Sequence, residues 1–414
     1  MSATGELTPA QHARIRRQLA LIPVYIWVVY SWTHLLVRIP YDEPVRDFVH
    51  FYVQGLIALQ HDAGSLYDIE KMADIAERVL PGGQRAKYPP VYGPQIAVLF
   101  RPFAMLTYVD ARNLWVIVTL VVYAGCVYAV WRACPRLDAQ RGTVALLAAA
   151  SPALHYTLGF VQVSAIGLAC VSAGYLALGA NRPWVAGFAL GSLVAYKPPL
   201  GIGVAAVIAT AAIVDRSAKA SRSMLSDDRG VVAGAIVAGV AQLAIGAIYW
   251  GPSILPAYAA ALTRVPDVAT AMEPNRFHMH SWRAFFDLLR LPGPIAFGAY
   301  VVASIMTLGA AFLCWRARGP LALRYGALLI ATVLVDPHLY AYDLLLLVPV
   351  YLVLWDWISG EPDGRVAQVW LVYLCYLSPL FVTLADVAGI QLSAPLHGLL
   401  LAAILGVLRS EPRP

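Results

Sequence analysis

The chain has 414 residues, 60% of them hydrophobic and only 13% charged, with a formal net charge of +6. A water-soluble domain of this size needs more polar surface than that, so the bilayer is the expected solvent. The positive excess then reads as a topology signal. No tract interleaves basic and aromatic residues, and no nucleic-acid partner is expected.

The first apolar run, LALIPVYIWVVYSWTHLLV (19–37), follows Arg14, Arg16 and Arg17, and no small-residue cleavage site comes after it. It reads as a retained signal anchor. Its nineteen residues, rising about 1.5 Å apiece, match a hydrocarbon layer of about 30 Å. Further apolar runs lie near 111–131, 143–157, 163–180, 184–196, 199–214, 231–250, 293–314, 321–335, 344–357, 366–385 and 394–408, making twelve. Several of these are short, which points to tilted or broken helices around a cavity. The stretch 91–107, interrupted by Pro94, Arg101 and Pro102, is ambiguous. If it dips in and returns, the basic loops 132–141, 215–229 and 315–324 all fall on the cytoplasmic side with both termini. If it crosses, they fall on the wrong side, so a re-entrant segment is expected.

The expected fold is therefore an all-α polytopic membrane protein of about 12 transmembrane helices, one integral membrane domain over 1–414. Two large outer loops, 38–90 and 251–292, carry most of the polar chemistry, and any active site faces outward. The five cysteines sit in spans or cytoplasmic loops with no CxxC pair, so neither a disulfide nor a cysteine metal site is expected.

In the first outer loop, DFVHFYVQGLIALQHD places Phe48, Phe51, Tyr52, Leu56 and Leu59 at helical spacing. That predicts a helix lying along the membrane interface, with His50, Gln54 and His61 breaking its apolar surface. Asp47 stands at its start, either as a helix cap or as a working carboxylate. A second amphipathic segment, 67–80, puts Ile69, Met72, Ile75 or Ala76 and Val79 on one face. Pro89 and Pro90 in KYPPVYGP hold Tyr88 rigidly at the membrane surface or simply start a helix.

LVAYKPPLG sets Lys197 between two apolar runs with no acid nearby in sequence. A lysine at that depth faces a cavity and pairs with an anion, or snorkels to the headgroups. EPNRFHMHSWRAFF collects Asn275, Arg276, His278, His280 and Arg283. The two histidines alone are a weak metal signal, and a phosphate-facing donor set fits the mixture better. VDPHLYAYD places Asp336, His338, Tyr340, Tyr342 and Asp343 at the mouth of a span, where an aromatic belt explains the tyrosines but not the Asp and His. Gln162 sits in the tight turn LGFVQVS.

These pieces, in this order, resemble glycosyltransferase family 87 of the GT-C superfamily: RDFVHFYVQG with GSLYD, YPPVYGP, the GFVQVS turn, WVAGFALGSLVAYKPP and DPHLYAYDLLLL. The known members it resembles include mycobacterial phosphatidylinositol-mannoside mannosyltransferases. The resemblance implies a polyprenyl-phosphate sugar donor, mannose as the sugar, inversion, no metal and no cofactor. It also implies a lipid or glycan acceptor, with membrane lipids as the other partners. The family's catalytic aspartate corresponds to Asp47. The family's Gly-Gln-x-Asn element stands here as Phe160-Val161-Gln162-Val163-Ser164, so only Gln162 carries over.

The chemistry agrees with that assignment. An attacking sugar hydroxyl must lose its proton, which asks for one carboxylate base, Asp47. A lipid phosphate leaves as a stable anion and needs cationic donors, for which Lys197, Arg283 and His338 are candidates. Tyr52, Tyr88, Gln162, Asn275, His278, His280, Tyr342 and Asp343 are the candidate acceptor or sugar contacts. Two other readings compete, a transporter or flippase for a lipid-linked or anionic substrate, and a non-catalytic membrane subunit. A transporter predicts a pseudo-repeat and mid-span ionisable groups, whereas here the polar residues cluster on one face without a repeat.

Overall fold

The computed structural model describes residues 8–41, 47–80, 82–89, 91–217, 222–264, 276–360 and 366–410. Among these the chain is helical, and its only bridge pairs Met279 with Tyr340. The helices are α1 (Pro9–Tyr41), α2 (Phe48–Gln60), α3 (Ile69–Val79), α4 (Pro94–Phe100), α5 (Tyr108–Arg132), α6 (Arg141–Ala149), α7 (Pro152–Phe160), α8 (Ser164–Gly179), α9 (Pro183–Tyr196) and α10 (Pro198–Ser217). They continue as α11 (Arg222–Trp250), α12 (Ile254–Thr263), α13 (Trp282–Leu288), α14 (Gly293–Arg316), α15 (Leu321–Val335), α16 (Val348–Ser359), α17 (Val366–Leu377), α18 (Val382–Ala388) and α19 (Ser393–Ser410).

Every one of the twelve apolar runs lies on a helix or a broken helix pair. Seven segments among the described residues are long and apolar enough to cross a bilayer, and shorter apolar helices account for others. The protein is an all-α polytopic membrane protein. α4 has seven residues, about 10 Å of rise, a third of what a crossing needs. It continues through Arg101 and Pro102, both in the right-handed helical region, into a short 3-10 turn, Phe103–Met105, which ends at the extended Leu106.

Two runs are broken. Between α6 and α7, Pro152 cannot continue the preceding helix, and the last carbonyls of α6 lose their intrahelical partners. Inside a membrane no water replaces them. Four aromatic side chains do: the Tyr376 hydroxyl donates to Leu147 O at 2.7 Å, Tyr123 to Ala148 O at 2.8 Å, and the Trp32 and Trp27 indoles to Ala149 O and Ala150 O at 3.0 and 2.9 Å. The break is thereby pinned to α1, α5 and α17. The second break is the 3-10 turn Ser378–Phe381 between α17 and α18, opened by Pro379.

α9 and α11 cross closely through two GxxxG pairs. A Cβ at Gly187 would overlap the Val231 carbonyl, one at Gly191 would meet Ala235 Cα at 2.5 Å, and one at Gly234 would overlap the Trp184 carbonyl. Both helices run the same way, since Gly187 meets Val231 and Gly191 meets Ala235 four residues on. Small residues let helix backbones approach where no hydrophobic force separates lipid from protein. Gly187→Leu is expected to prevent this approach and lower the yield of folded protein in detergent severalfold, read by fluorescence-detected size exclusion. A normal monodisperse peak would show that the seam is dispensable.

α3 is capped by Asp68, whose side chain accepts from the Glu70 and Lys71 amides, and it buries Met72, Ile75 and Ala76 of the expected face together with Ala73, leaving Ile69 and Val79 half-buried. α2 differs from expectation. Ten of its thirteen residues are buried, and a Cβ at Gly55 would meet the Phe100 carbonyl oxygen at 2.5 Å. It is enclosed by α4 and the turn after it instead of resting one face on lipid. His50, Gln54 and the apolar side chains share that enclosure, the amide of Gln54 lying 3.0 Å from the His50 ring nitrogen.

Candidate active site

The polar residues converge where the ends of α7, α9 and α15 meet the start of α2. Each arrives by a local device. The chain before proline is forced out of the helical region, so Lys197 is extended (φ −148°) between α9 and the prolines that open α10. Pro337 likewise ends α15, and Asp336 turns back so that its carboxylate accepts the His338 amide at 2.8 Å. Val161 closes α7 in the left-handed region (φ 52°), a strained place for a β-branched side chain. That turn delivers Gln162.

Asp47 precedes α2 as its N-cap, but its side chain makes no capping hydrogen bond. Its carboxylate instead accepts from the Gln162 amide at 2.9 Å. Gln162 spends its other amide atom on the Val163 N–H at 2.8 Å, so both ends of its side chain are committed to protein. The geometry makes it a direct partner of Asp47. Burial pushes the Asp47 carboxyl up to about 6, opposed by the Gln162 hydrogen bond and then by His338 and Lys197, with Asp343 raising it.

Lys197, half-buried, pairs with the fully buried Asp343. Its ammonium also donates to His338 O at 3.0 Å and lies 5.8 Å from the Tyr342 ring centre. Asp343 accepts the Tyr340 amide at 3.0 Å on the same oxygen, and its other oxygen has no hydrogen-bond partner. Asp336 is buried too, and burial raises its carboxyl. Tyr340 and Tyr342 stack 5.4 Å apart, nearly parallel at 5°. Tyr88 and Tyr92 face the cluster from the far side, each 5.4–5.5 Å from the His50 ring and each within electrostatic reach of Asp47. Burial lowers His50 to about 3, which keeps it neutral. Among the described residues, no three of His, Cys, Asp and Glu are arranged to hold a metal ion.

The structure thus brings together Asp47, Gln162, Lys197, His338, Tyr342, Asp343 and Tyr88. His278 stands at the edge, 5.9 Å from Phe160. Three expected residues stand elsewhere. Arg283 bonds Asp287 one turn along α13 at 3.0 Å, and Arg276 shares that carboxylate. His280 is fully buried 2.8 Å from Ser393 Oγ, lowered to about 3 by burial. Tyr52 is buried and donates to Leu106 O at 2.8 Å, making it part of the packing of α2. Asn275, with Asp42 and Glu43, lies outside the described residues. Sequence reasoning missed Tyr92 as a neighbour of Asp47 and Asp343; its only signal was the proline-rich YPPVYGP.

A half-buried carboxylate raised toward neutrality, a paired lysine and a histidine at one end of a polytopic helical bundle define a membrane enzyme site more than a channel. The profile of glycosyltransferase family 87 matches residues 91–337, well over half the chain, and the protein belongs to that family. It is a multi-pass membrane glycosyltransferase. The matched stretch includes Gln162 and Lys197 and stops just before His338, with Asp47 lying upstream of it. No curated protein and no solved structure matches the chain significantly.

Proposed function

We propose that the protein moves a sugar, mannose by family resemblance, from a polyprenyl-phosphate donor to a lipid or glycan acceptor on the outer face of the cytoplasmic membrane, with inversion. The observation that carries this reading is Asp47, half-buried, held by Gln162 and tuned to about 6. The acceptor hydroxyl oxygen attacks the anomeric carbon as its proton passes to the Asp47 carboxylate. The bond from that carbon to the phosphate oxygen breaks, and the lipid phosphate leaves with the electron pair. Lys197 supplies the cation facing that phosphate, with the His338 imidazole beside it as a hydrogen-bond donor. Lys197 is shared with Asp343, so the site offers a directed ammonium with little excess charge.

The base must be ionised to work, so kcat/KM should fall as pH drops through about 6. The Gln162 hydrogen bond favours the ionised form. Gln162→Leu should therefore move the acid limb upward by about 1–2 pH units, since hydrogen bonds to charged groups contribute about 1.5–3 kcal/mol. The measurement is transfer from radiolabelled polyprenyl-phosphate mannose in membranes of a host lacking the enzyme, between pH 5 and 8. An acid limb that stays in place would remove Asp47 as the titrating base.

A further inference from the structure

A file of aromatic and imidazole rings leaves the Asp47–Lys197 cluster along the seam between α1 and α7. Tyr342, beside Lys197, meets Phe160 with ring centres 5.7 Å apart. Phe160 and Tyr156 both meet His278, at 5.9 and 6.2 Å. His155 follows on α7, and across the seam it faces His34 and Trp27 of α1 at 5.4 and 5.1 Å. His34 in turn stacks on Tyr30 at 5.8 Å.

These rings are not core. His34, His155, Tyr156, Phe160 and His278 are only half-buried, and Tyr30 is 57% exposed. Nδ1 of His34, of His155 and of His278 is shielded and has no hydrogen-bond partner. Unpaired imidazole nitrogens shielded from solvent are costly, so the seam asks for a ligand that brings hydroxyls. An interfacial belt would hold such rings at one depth. Here Trp27 and His34 are separated by seven residues, about 10 Å along the helix axis, and the file runs lengthwise into the site. The apolar faces of the rings suit the flat C–H faces of sugars, and the imidazoles suit their hydroxyls.

We infer that this file is the acceptor lane, a subsite for the pyranose rings of a membrane-anchored carbohydrate that approaches laterally between α1 and α7. The inference rests on the glycosyltransferase reading above and adds where the acceptor sits and how it is delivered. A water-soluble polysaccharide would reach Asp47 from the aqueous end without touching His34 or Tyr30.

The test uses the full-length enzyme in detergent with radiolabelled polyprenyl-phosphate mannose. Two acceptor probes are offered separately: the chloroform–methanol glycolipid extract of host membranes, and the water-soluble glycan fraction of the same cells. Label should enter the glycolipid extract. Tyr30→Ala, and separately His34→Leu with His155→Leu, should raise the half-saturating extract concentration about tenfold while the half-saturating donor concentration stays put. Tyr30 is exposed, so its variant tests the lane even if the histidine pair disturbs folding. Label entering only the water-soluble fraction, or unchanged half-saturation in both variants, would overturn the lane. Asp47→Asn separates the two levels. Transfer retained by it overturns the general-base reading, whereas its loss beside unaffected lane variants overturns the lane alone.

Discussion

Asp47→Asn is expected to lower kcat/KM for sugar transfer by about 10²–10⁴-fold, the usual contribution of a positioned general base. An amide keeps the shape and can still accept from Gln162, but it cannot take the hydroxyl proton. Its effect on stability should run the other way. Burial raises the folded-state pKa from 3.8 to about 6, so between those values the folded protein holds a proton that the unfolded chain has released. Stability therefore falls as pH rises through that window, and the ionised carboxylate burdens the fold at neutral pH. Asp47→Asn should melt at or above the wild-type temperature at pH 7, and its stability should lose that pH dependence. A variant that is both inactive and markedly less stable would mean that Asp47 holds the fold together. Its inactivity would then say nothing about catalysis.

The second large effect is expected at Lys197. Lys197→Met removes the partner of an aspartate with no solvent exposure, and breaking a buried pair from one side costs about 3–5 kcal/mol. Asp343 must then either stay charged and unpaired or take up a proton. Adding Asp343→Asn to Lys197→Met removes that uncompensated charge, so most of the lost thermal stability should return. Activity should not return, because the cation proposed to face the leaving phosphate is still absent. Thermal unfolding in detergent and donor-dependent transfer are measured on the wild type, both single variants and the double. Recovery of transfer in the double variant would show that Lys197 serves only to neutralise Asp343.

Much of the site was legible before the structure, for identifiable reasons. Lys197 stands out because an isolated lysine between apolar runs needs an anion, and it has one in Asp343, 146 residues away. Asp336 and His338 stand out because a belt of tyrosines does not account for them. Arg283 pairs with Asp287 one helical turn on, a spacing that sequence alone displays. His280 could not have been placed, since its partner, Ser393, is 113 residues downstream. The glycines of GFALG (187–191) and GVVAG (230–234) were visible as small-residue spacings, but only packing shows that they face each other.

By itself the sequence determined the solvent, the helical class and the chemistry on offer. Apolar run length and the demand that every backbone group be satisfied inside lipid leave little choice but helices, and isolated ionisable residues among such runs must serve a site. The tertiary structure decided which of those residues meet. Whether Asp47 caps its own helix or accepts from Gln162, 115 residues on, depends on a strained turn at Val161 and on the enclosure of α2. Both are products of long-range packing, and a carboxylate's pKa follows its surroundings more than its neighbours in sequence.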